Sequence, residues 1–534
     1  MKPLKGSSSH VVLRGSKRFH RAGAVVLGRS DRTERCEITV KVSRQKKLPE
    51  PNPDKPISLP ELSKEFGADP EQLTKVETAL APYGIAVISR DARTRSVKLA
   101  GPVSAMEDAF GLHLFRVKHD DRVYRGRVGE IHIPKELDGI VTGVFGLDTR
   151  RMTKHRRPLG AQAVDALPLP NQRSWYLPQE LANAYGFPSG DGNGQTIGIL
   201  EFGGRYIASD LETFWQLAGL PGAIPKVEIT NVNALSSQDR NDPGAIGETM
   251  LDVEVAAGIC PKALIKVYFS TWTEKGWIDN LDAVLADSAV PAVLSISYGL
   301  AEGADIWTQQ AMDDVNDTLK EFANAGITVC VSTGDDGSDD QVGDGRAHVS
   351  FPSCSDNVLA VGGTALDKSV GSEVVWFEGD GLRRDNGGST GGGVSEVIAR
   401  PTWQSQINIT SANPHAPAGR VLPDISANAA GGTGYFMVSQ GDSKISGGTS
   451  AATPLCASLI ARLLQRGKNI GFLTPRLYAP TAKTENRPLG AVACSDITQG
   501  SNASGATEGY SATVGFDAVS GWGTPTGKLV DLLP

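Results

Sequence analysis

Histidine is scarce in this chain, with eight in 534 residues, and the C-terminal two thirds hold only His348 and His415, in AHVSFP and NPHAPAG. Both have loop-like surroundings, and the HGT-containing helix start of a subtilisin-type enzyme is missing. A serine hydrolase on this chain would lack its usual imidazole base. Cysteine is sparse too: Cys36, Cys260, Cys330, Cys354, Cys456 and Cys494 show no paired spacing and no metal motif. Cys330 and Cys456 fall in apolar runs and read as small core residues rather than disulfide partners. No stretch reaches transmembrane length, and the opening residues MKPLKGSSSHVVLRGS lack the apolar core of a signal peptide.

A serine nucleophile is nevertheless suggested. Residues 447–454 read GGTSAATP and lead into the apolar run LCASLIARLL, which has the length and pattern of a buried helix. Ser450 would stand on its first turn, where unpaired backbone N–H groups and partial positive charge suit a developing oxyanion. The chain also offers a base of another kind. In IGETMLDVEVAAGI, residues 246–259, Glu248 and Asp252 are four apart, so a helix stacks both carboxylates on one face. Carboxylates that close titrate as a coupled pair. A solvated acidic helix face has the same pattern, and Ser450 is what favours the dyad.

A third element lies in AGITVCVSTGDDGSDD, residues 325–340. Ile327 to Val331 is a β-branched run typical of a central parallel strand, and the turn after it carries Asp335 at the strand end where open α/β sheets put their active groups. An acid there can bind calcium, cap a helix or, when protonated, donate a hydrogen bond to an oxyanion.

Together these pieces resemble the sedolisins, the serine-carboxyl peptidases, and within them the kumamolisin-like branch. The resemblance covers nearly the whole chain and includes IGILEFGG (197–204), VLSISYG (293–299), HVSFPSCSDNVLAVGGT (348–364) and RVLPDISANA (420–429). It implies that Ser450 is the nucleophile, Glu248 the general base, Asp252 the carboxylate orienting that base, and Asp335 the oxyanion-hole acid. It extends the acidic network to Glu201 and to Tyr298, which stands where relatives carry tryptophan. It also implies one structural calcium ion, held by the side chains of Asp496 and Asp517 and the carbonyls of Ile497, Thr513 and Gly515. By residue chemistry alone, hard oxygen donors suit calcium, while two aspartates this far apart are as readily loop caps. Activity would be confined to acid, because an ionised Asp335 would repel the oxyanion.

Charge divides the chain. Residues 1–158 hold 31 Lys and Arg against 19 Asp and Glu, a net of +12, and the remainder holds 22 against 41, a net of −19. No nucleic-acid motif accompanies the basic half. Helical patterns over 57–84 and 103–112, a hairpin over 85–99 around ARTR and further strand over 114–127 suit a small ferredoxin-like α/β sandwich, which resembles the sedolisin propeptide. Opposite charges then suggest an inhibitory prodomain held on its own enzyme until acid weakens the attraction. Residues 151–172, basic and then proline-rich, read as an exposed processing linker.

The expected organisation is a prodomain over 1–158, a linker over 159–174 and a catalytic domain over 175–534, with its first helix in LPQELANAYGFPSG from Leu177. Short apolar runs at 197–201, 262–269, 290–297, 327–332 and 358–361 alternate with helical stretches, which predicts a mostly parallel doubly wound sheet. The resemblance makes this a subtilisin-like fold. The glycine-rich loop 387–393 either lines the substrate cleft or turns the chain. The expected partners are peptide substrates and the chain's own propeptide, with no nucleic acid, no membrane and a monomeric state, and the resemblance implies work outside the cell or in an acidic compartment. Two other readings are a histidine-based subtilisin-like protease and a non-catalytic peptide-binding relative.

Overall fold

The computed structural model describes residues 9–152, 172–303, 306–381, 387–505 and 507–534. The expected processing linker and its scissile bond fall mostly on residues 153–171, outside the described residues.

In the N-terminal part, strands Ala86–Asp91, Ser96–Pro102, Arg35–Val42 and Val141–Phe145 form one antiparallel sheet in that order. Helices Leu59–Phe66 and Pro70–Leu80 follow the first of these strands in sequence, and Val103–Phe110 follows the third. This is the split βαβ arrangement of a ferredoxin-like sandwich. Ile38, Val40, Leu73, Val76, Leu99 and Met106 fill its core. The segment expected as strand over 114–127 is a hairpin, Phe115–His119 with Arg122–Gly126, extended by Val25–Arg29 into a small separate sheet.

The C-terminal part is built on a parallel sheet in the order Val227–Asn231, Leu264–Ser270, Thr196–Phe202, Val293–Ile296, Thr328–Ser332, Leu359–Leu366. Ile425–Asn428 adds a parallel strand beyond it and Glu373–Val375 an antiparallel one. Side chains leave successive strand positions on opposite faces. Ile197 and Ile199 join the layer that contains helices Pro243–Ile259 and Thr449–Gln465, while Leu200, Phe202, Leu294 and Ile296 join that of helices Glu274–Ala286 and Gln309–Asn324. Helix Pro178–Ala184 forms within LPQELANAYGFPSG. All six cysteines lack a disulfide and five are buried; burial raises the thiol pKa of Cys330 and Cys456, which suits core residues. No helix among the described residues is long and apolar enough to cross a membrane.

The two parts meet through charge. Lys41, 1% exposed at its side chain, reaches Asp282 at 2.7 Å, and Arg95 reaches Asp317 at 2.8 Å and Asp314 at 3.2 Å. Arg44 pairs with Asp317 and Glu321 at 2.7 and 2.6 Å, Arg18 with Glu274 at 2.8 Å, and Lys98 with Asp279 at 3.3 Å. The carboxylates belong to helices Glu274–Ala286 and Gln309–Asn324. The sequence predicted the sign of this attraction; the face it uses is visible only in the fold.

Candidate active site

Helix Pro243–Ile259 is nucleated where it must be. Asp242 caps it by accepting the Gly244 and Ala245 N–H groups, and Pro243 occupies the first turn, where its missing N–H costs nothing. Every residue from Ala245 to Ile259 is buried, so Glu248 and Asp252 point into protein rather than solvent. The solvated-face alternative therefore does not apply. Helix Thr449–Gln465 packs directly against it and carries Ser450 on its first turn, 1% exposed.

Asp252 has zero exposure, and its Oδ2 accepts the Ser297 hydroxyl at 2.7 Å. Burial raises the Asp252 carboxyl well above the usual carboxylate range, and the charges of Glu201 and Glu248 raise it further. Glu201 is the penultimate residue of strand Thr196–Phe202, whose parallel register sets Leu200 opposite Ile296 and brings Glu201 beside Ser297 and Tyr298. The Tyr298 hydroxyl donates to Glu201 Oε2 at 2.6 Å and the Thr249 hydroxyl reaches the same oxygen at 3.1 Å. Burial pushes Glu201 up to about 8 against those hydrogen bonds. Three buried carboxyl groups thus share one neighbourhood.

Asp335 follows strand Thr328–Ser332, with 1% exposure. Its Oδ1 lies 2.9 Å from the Thr449 N–H and 2.7 Å from the Thr449 hydroxyl, which ties it to the residue before the serine. Gly448 makes this approach possible. Its φ is +92°, and a Cβ there would lie 2.8 Å from Asp335 Oδ2. The loop 387–393 lies against the same strand end: the Ser389 N–H donates to the Asp335 carbonyl at 3.0 Å and the Gly391 N–H to the Gly334 carbonyl at 2.7 Å. Among the two readings of that loop, these contacts put it at the site's edge.

All six predicted residues, Ser450, Glu248, Asp252, Asp335, Glu201 and Tyr298, therefore gather at the C-terminal ends of the central strands. Sequence reasoning passed over Ser297, Thr249 and Thr449. Each stands directly beside a predicted residue, but which neighbour turns inward is set by strand register and helix phase. Neither histidine approaches the site: His348 pairs with Asp344 at 2.9 Å in a surface loop and His415 is exposed.

Of the predicted calcium residues, Asp496 and Ile497 lie on one C-terminal segment and Thr513, Gly515 and Asp517 on another, and a hydrogen bond from Gly515 to Asp496 joins the two. Asp517 is 3% exposed; its Oδ2 accepts the Thr513 N–H at 2.9 Å and its Oδ1 the Ser520 N–H at 2.7 Å. Asp496 Oδ2 accepts the Gly515 N–H at 2.8 Å. Burial raises the Asp517 carboxyl, a cost that a bound cation would offset. Two carboxylates with neighbouring carbonyls are a donor set that fits a hard cation. No group of three or more His, Cys, Asp or Glu side chains that could hold a metal ion is found among the described residues.

A serine at the head of a buried helix, beside the C-terminal edge of a doubly wound parallel sheet, defines the class: a serine peptidase of subtilisin-like fold. The family model of the pro-kumamolisin activation domain matches residues 39–150, and that of the subtilase family matches residues 235–499. Kumamolisin of Bacillus sp. (strain MN-32) is 34% identical over 558 aligned positions, covering 100% of this chain and 98% of kumamolisin. Sedolisin of Pseudomonas sp. (strain 101) is 30% identical over 79% of this chain and 72% of its own length. A solved structure of Pseudomonas sedolisin, a serine-carboxyl proteinase complexed with pseudo-iodotyrostatin, matches with a TM-score of 0.57 at 29% identity, over 67% of this chain and 97% of that one. This chain belongs to the kumamolisin and sedolisin family of serine-carboxyl peptidases and carries its activation domain in front of the peptidase.

Proposed function

We propose that the protein is an acid-active endopeptidase made as a zymogen, in which Ser450 attacks the peptide carbonyl and Glu248 accepts its proton. Asp252 orients Glu248 and shares a proton with it. Asp335, in its neutral form, donates to the tetrahedral oxyanion beside the Ser450 N–H. Glu248 then returns the proton to the leaving amine, and water repeats the sequence on the acyl-enzyme. Glu201 and Tyr298 extend the acidic network behind Asp252. The observation that carries this reading is the buried carboxyl cluster joined through Ser297 to Ser450, a setting in which a carboxylate dyad can stand in for an imidazole. The test is self-cleavage and proteolysis of a denatured protein at about pH 3 to 4, compared between the wild type and Ser450→Ala.

Residues 1–158 act in this reading as the inhibitor, residues 159–174 as the processing linker and residues 175–534 as the enzyme. The direction of acid release follows from individual carboxylates. Burial alone would raise Asp279, but Lys275 and Lys98 hold it below its usual value; burial opposes Ser236, Arg151 and Arg122 at Asp239 with the same net result. Their contribution to the closed form is present above the ordinary carboxylate range and is lost as pH falls through the depressed values. Asp282 works the other way: burial pushes it up to about 6 despite Lys41, so proton uptake there favours the closed form. Release therefore rests on Asp239, tied to Arg122 and Arg151 of the prodomain, and on Asp279, tied to its Lys98, as pH falls below the ordinary carboxylate range.

Because Lys41, Arg44 and Arg95 are buried, salt reaches chiefly the rim pairs. Breaking a buried pair from one side costs about 3–5 kcal/mol. Lys41→Met in the full chain should thus raise the pH at which self-processing begins, and by more than high salt does. Processing rates measured across pH test this; an unmoved onset would count against the ionic lock.

One structural calcium ion held by Asp496 and Asp517, with the carbonyls of Ile497, Thr513 and Gly515, fits the donor chemistry of the C-terminal loop. Chelation should then lower the Tm of the full chain, and a melting curve insensitive to chelator would rule the ion out as a stabiliser. Work outside the cell or in an acidic compartment is the setting that such a pH dependence requires.

A further inference from the structure

Pro454 stands four residues after Ser450, inside helix Thr449–Gln465. Proline has no N–H, so the Ser450 carbonyl lacks the donor that the fourth following residue supplies in a regular helix. Ser297 Oγ lies 3.3 Å from that carbonyl, and the same hydroxyl is 2.7 Å from Asp252 Oδ2. The Ser297 carbonyl, in turn, accepts the Ser450 hydroxyl at 3.5 Å. Ser297 and Asp252 have zero exposure, so solvent does not compete for these groups. Ser297 directly follows strand Val293–Ile296, which lies between the strand that carries Glu201 and the strand that leads to Asp335.

We propose that Ser297 is a positioning residue of the peptidase: its hydroxyl fixes Asp252 against the peptide of the nucleophile and changes partner when the Glu248–Asp252 pair changes protonation. This rests on the roles given above to Ser450, Glu248 and Asp252. A hydroxyl carries one hydrogen and two acceptor lone pairs. When Asp252 is ionised, Ser297 donates to Asp252 Oδ2. When the pair takes up a second proton and Asp252 carries one on Oδ2, the carboxylic acid donates to Ser297 Oγ, and the Ser297 hydrogen turns to the Ser450 carbonyl. No proton is gained or lost by Ser297; the nucleophile's backbone stays tied to the dyad in both states.

The exchange bears on pH dependence. The titratable groups acting on Asp252 are Glu248 from its own helix, Glu201 from the adjacent strand and Tyr298 after the next, and none of these is a cation. Against burial and both carboxylates, the Ser297 hydrogen bond favours the ionised form. Removing it makes the dyad harder to ionise, so the acid limb of the pH–kcat profile moves to higher pH.

The experiment uses the full chain with Ser297→Ala, Ser297→Thr, Ser297→Cys and Ser450→Ala, reading self-cleavage and the pH dependence of kcat and KM on a peptide substrate. Loss of a hydrogen bond to a charged group predicts a fall in kcat of about 10- to 100-fold for Ser297→Ala, with KM little changed and the acid limb raised by about one pH unit. Ser297→Thr, which keeps the hydroxyl, should restore the limb. A Ser297→Ala enzyme with wild-type kcat and limb overturns the proposal, as does a loss of kcat with an unmoved limb, the mark of a packing role. If the alanine variant does not accumulate folded, Ser297→Cys, similar in shape but a weaker donor, must shift the limb in the same direction; a wild-type limb overturns the proposal. Activity surviving in Ser450→Ala would instead bring down the underlying reading.

Discussion

Ser450→Ala is expected to leave a folded chain that neither processes itself nor cleaves a denatured protein in acid. In a triad serine peptidase, removal of the nucleophile costs roughly a millionfold in kcat, because the residual rate comes from binding and oxyanion stabilisation alone. The substitution removes only an Oγ whose hydrogen bond to the Ser297 carbonyl is long, at 3.5 Å, so stability should hardly change. The chain should therefore accumulate at full length when shifted to about pH 3 to 4. Gel electrophoresis follows cleavage between the activation domain and the peptidase. Processing at the wild-type rate in the alanine variant would mean that another residue or another protease does the work, and the peptidase roles assigned to Glu248 and Asp252 would fall with it.

Substitution of Asp335 is expected to have the next largest effect. Asp335→Ala removes one oxyanion donor, which costs about 100- to 1,000-fold in kcat. Asp335→Asn is the sharper variant, because an amide donates at every pH. It should retain more activity than the alanine and carry that activity to higher pH than the wild type, because a carboxylate repels the oxyanion and an amide does not. The same change weakens the link to Thr449, whose N–H and hydroxyl lie on Asp335 Oδ1. A check on thermal stability separates that cost from the catalytic one. Equal activity of wild type and Asp335→Ala across the acid range would remove Asp335 from the mechanism.

Much of this could be read from the chain before folding. A spacing of four on a helix is a local geometric fact, so Glu248 and Asp252 were legible as a stacked pair. The strand-turn pattern around Asp335 and the glycines before Ser450 are local as well, and so is the net charge of each part. Ser297, Thr249 and Thr449 were not legible, since a hydroxyl residue beside a strand or helix end is common and its partner comes from another element. Glu201 illustrates the limit. Its sequence neighbours mark a buried strand, but its position beside Tyr298 depends on the register of two strands about a hundred residues apart.

The prodomain divides in the same way. Composition alone determined that a basic part would be drawn to an acidic one. Only the tertiary structure decided that Lys41, Arg44 and Arg95 would be buried against helices Glu274–Ala286 and Gln309–Asn324, and that Asp282 would oppose acid release while Asp239 and Asp279 favour it. The physical reason is that the number and kind of charges belong to the chain, whereas the desolvation and neighbours that set each charge's energy exist only once distant segments pack together. The same holds at the active site, where the sequence determined a serine without a histidine and packing decided which carboxyl groups surround it.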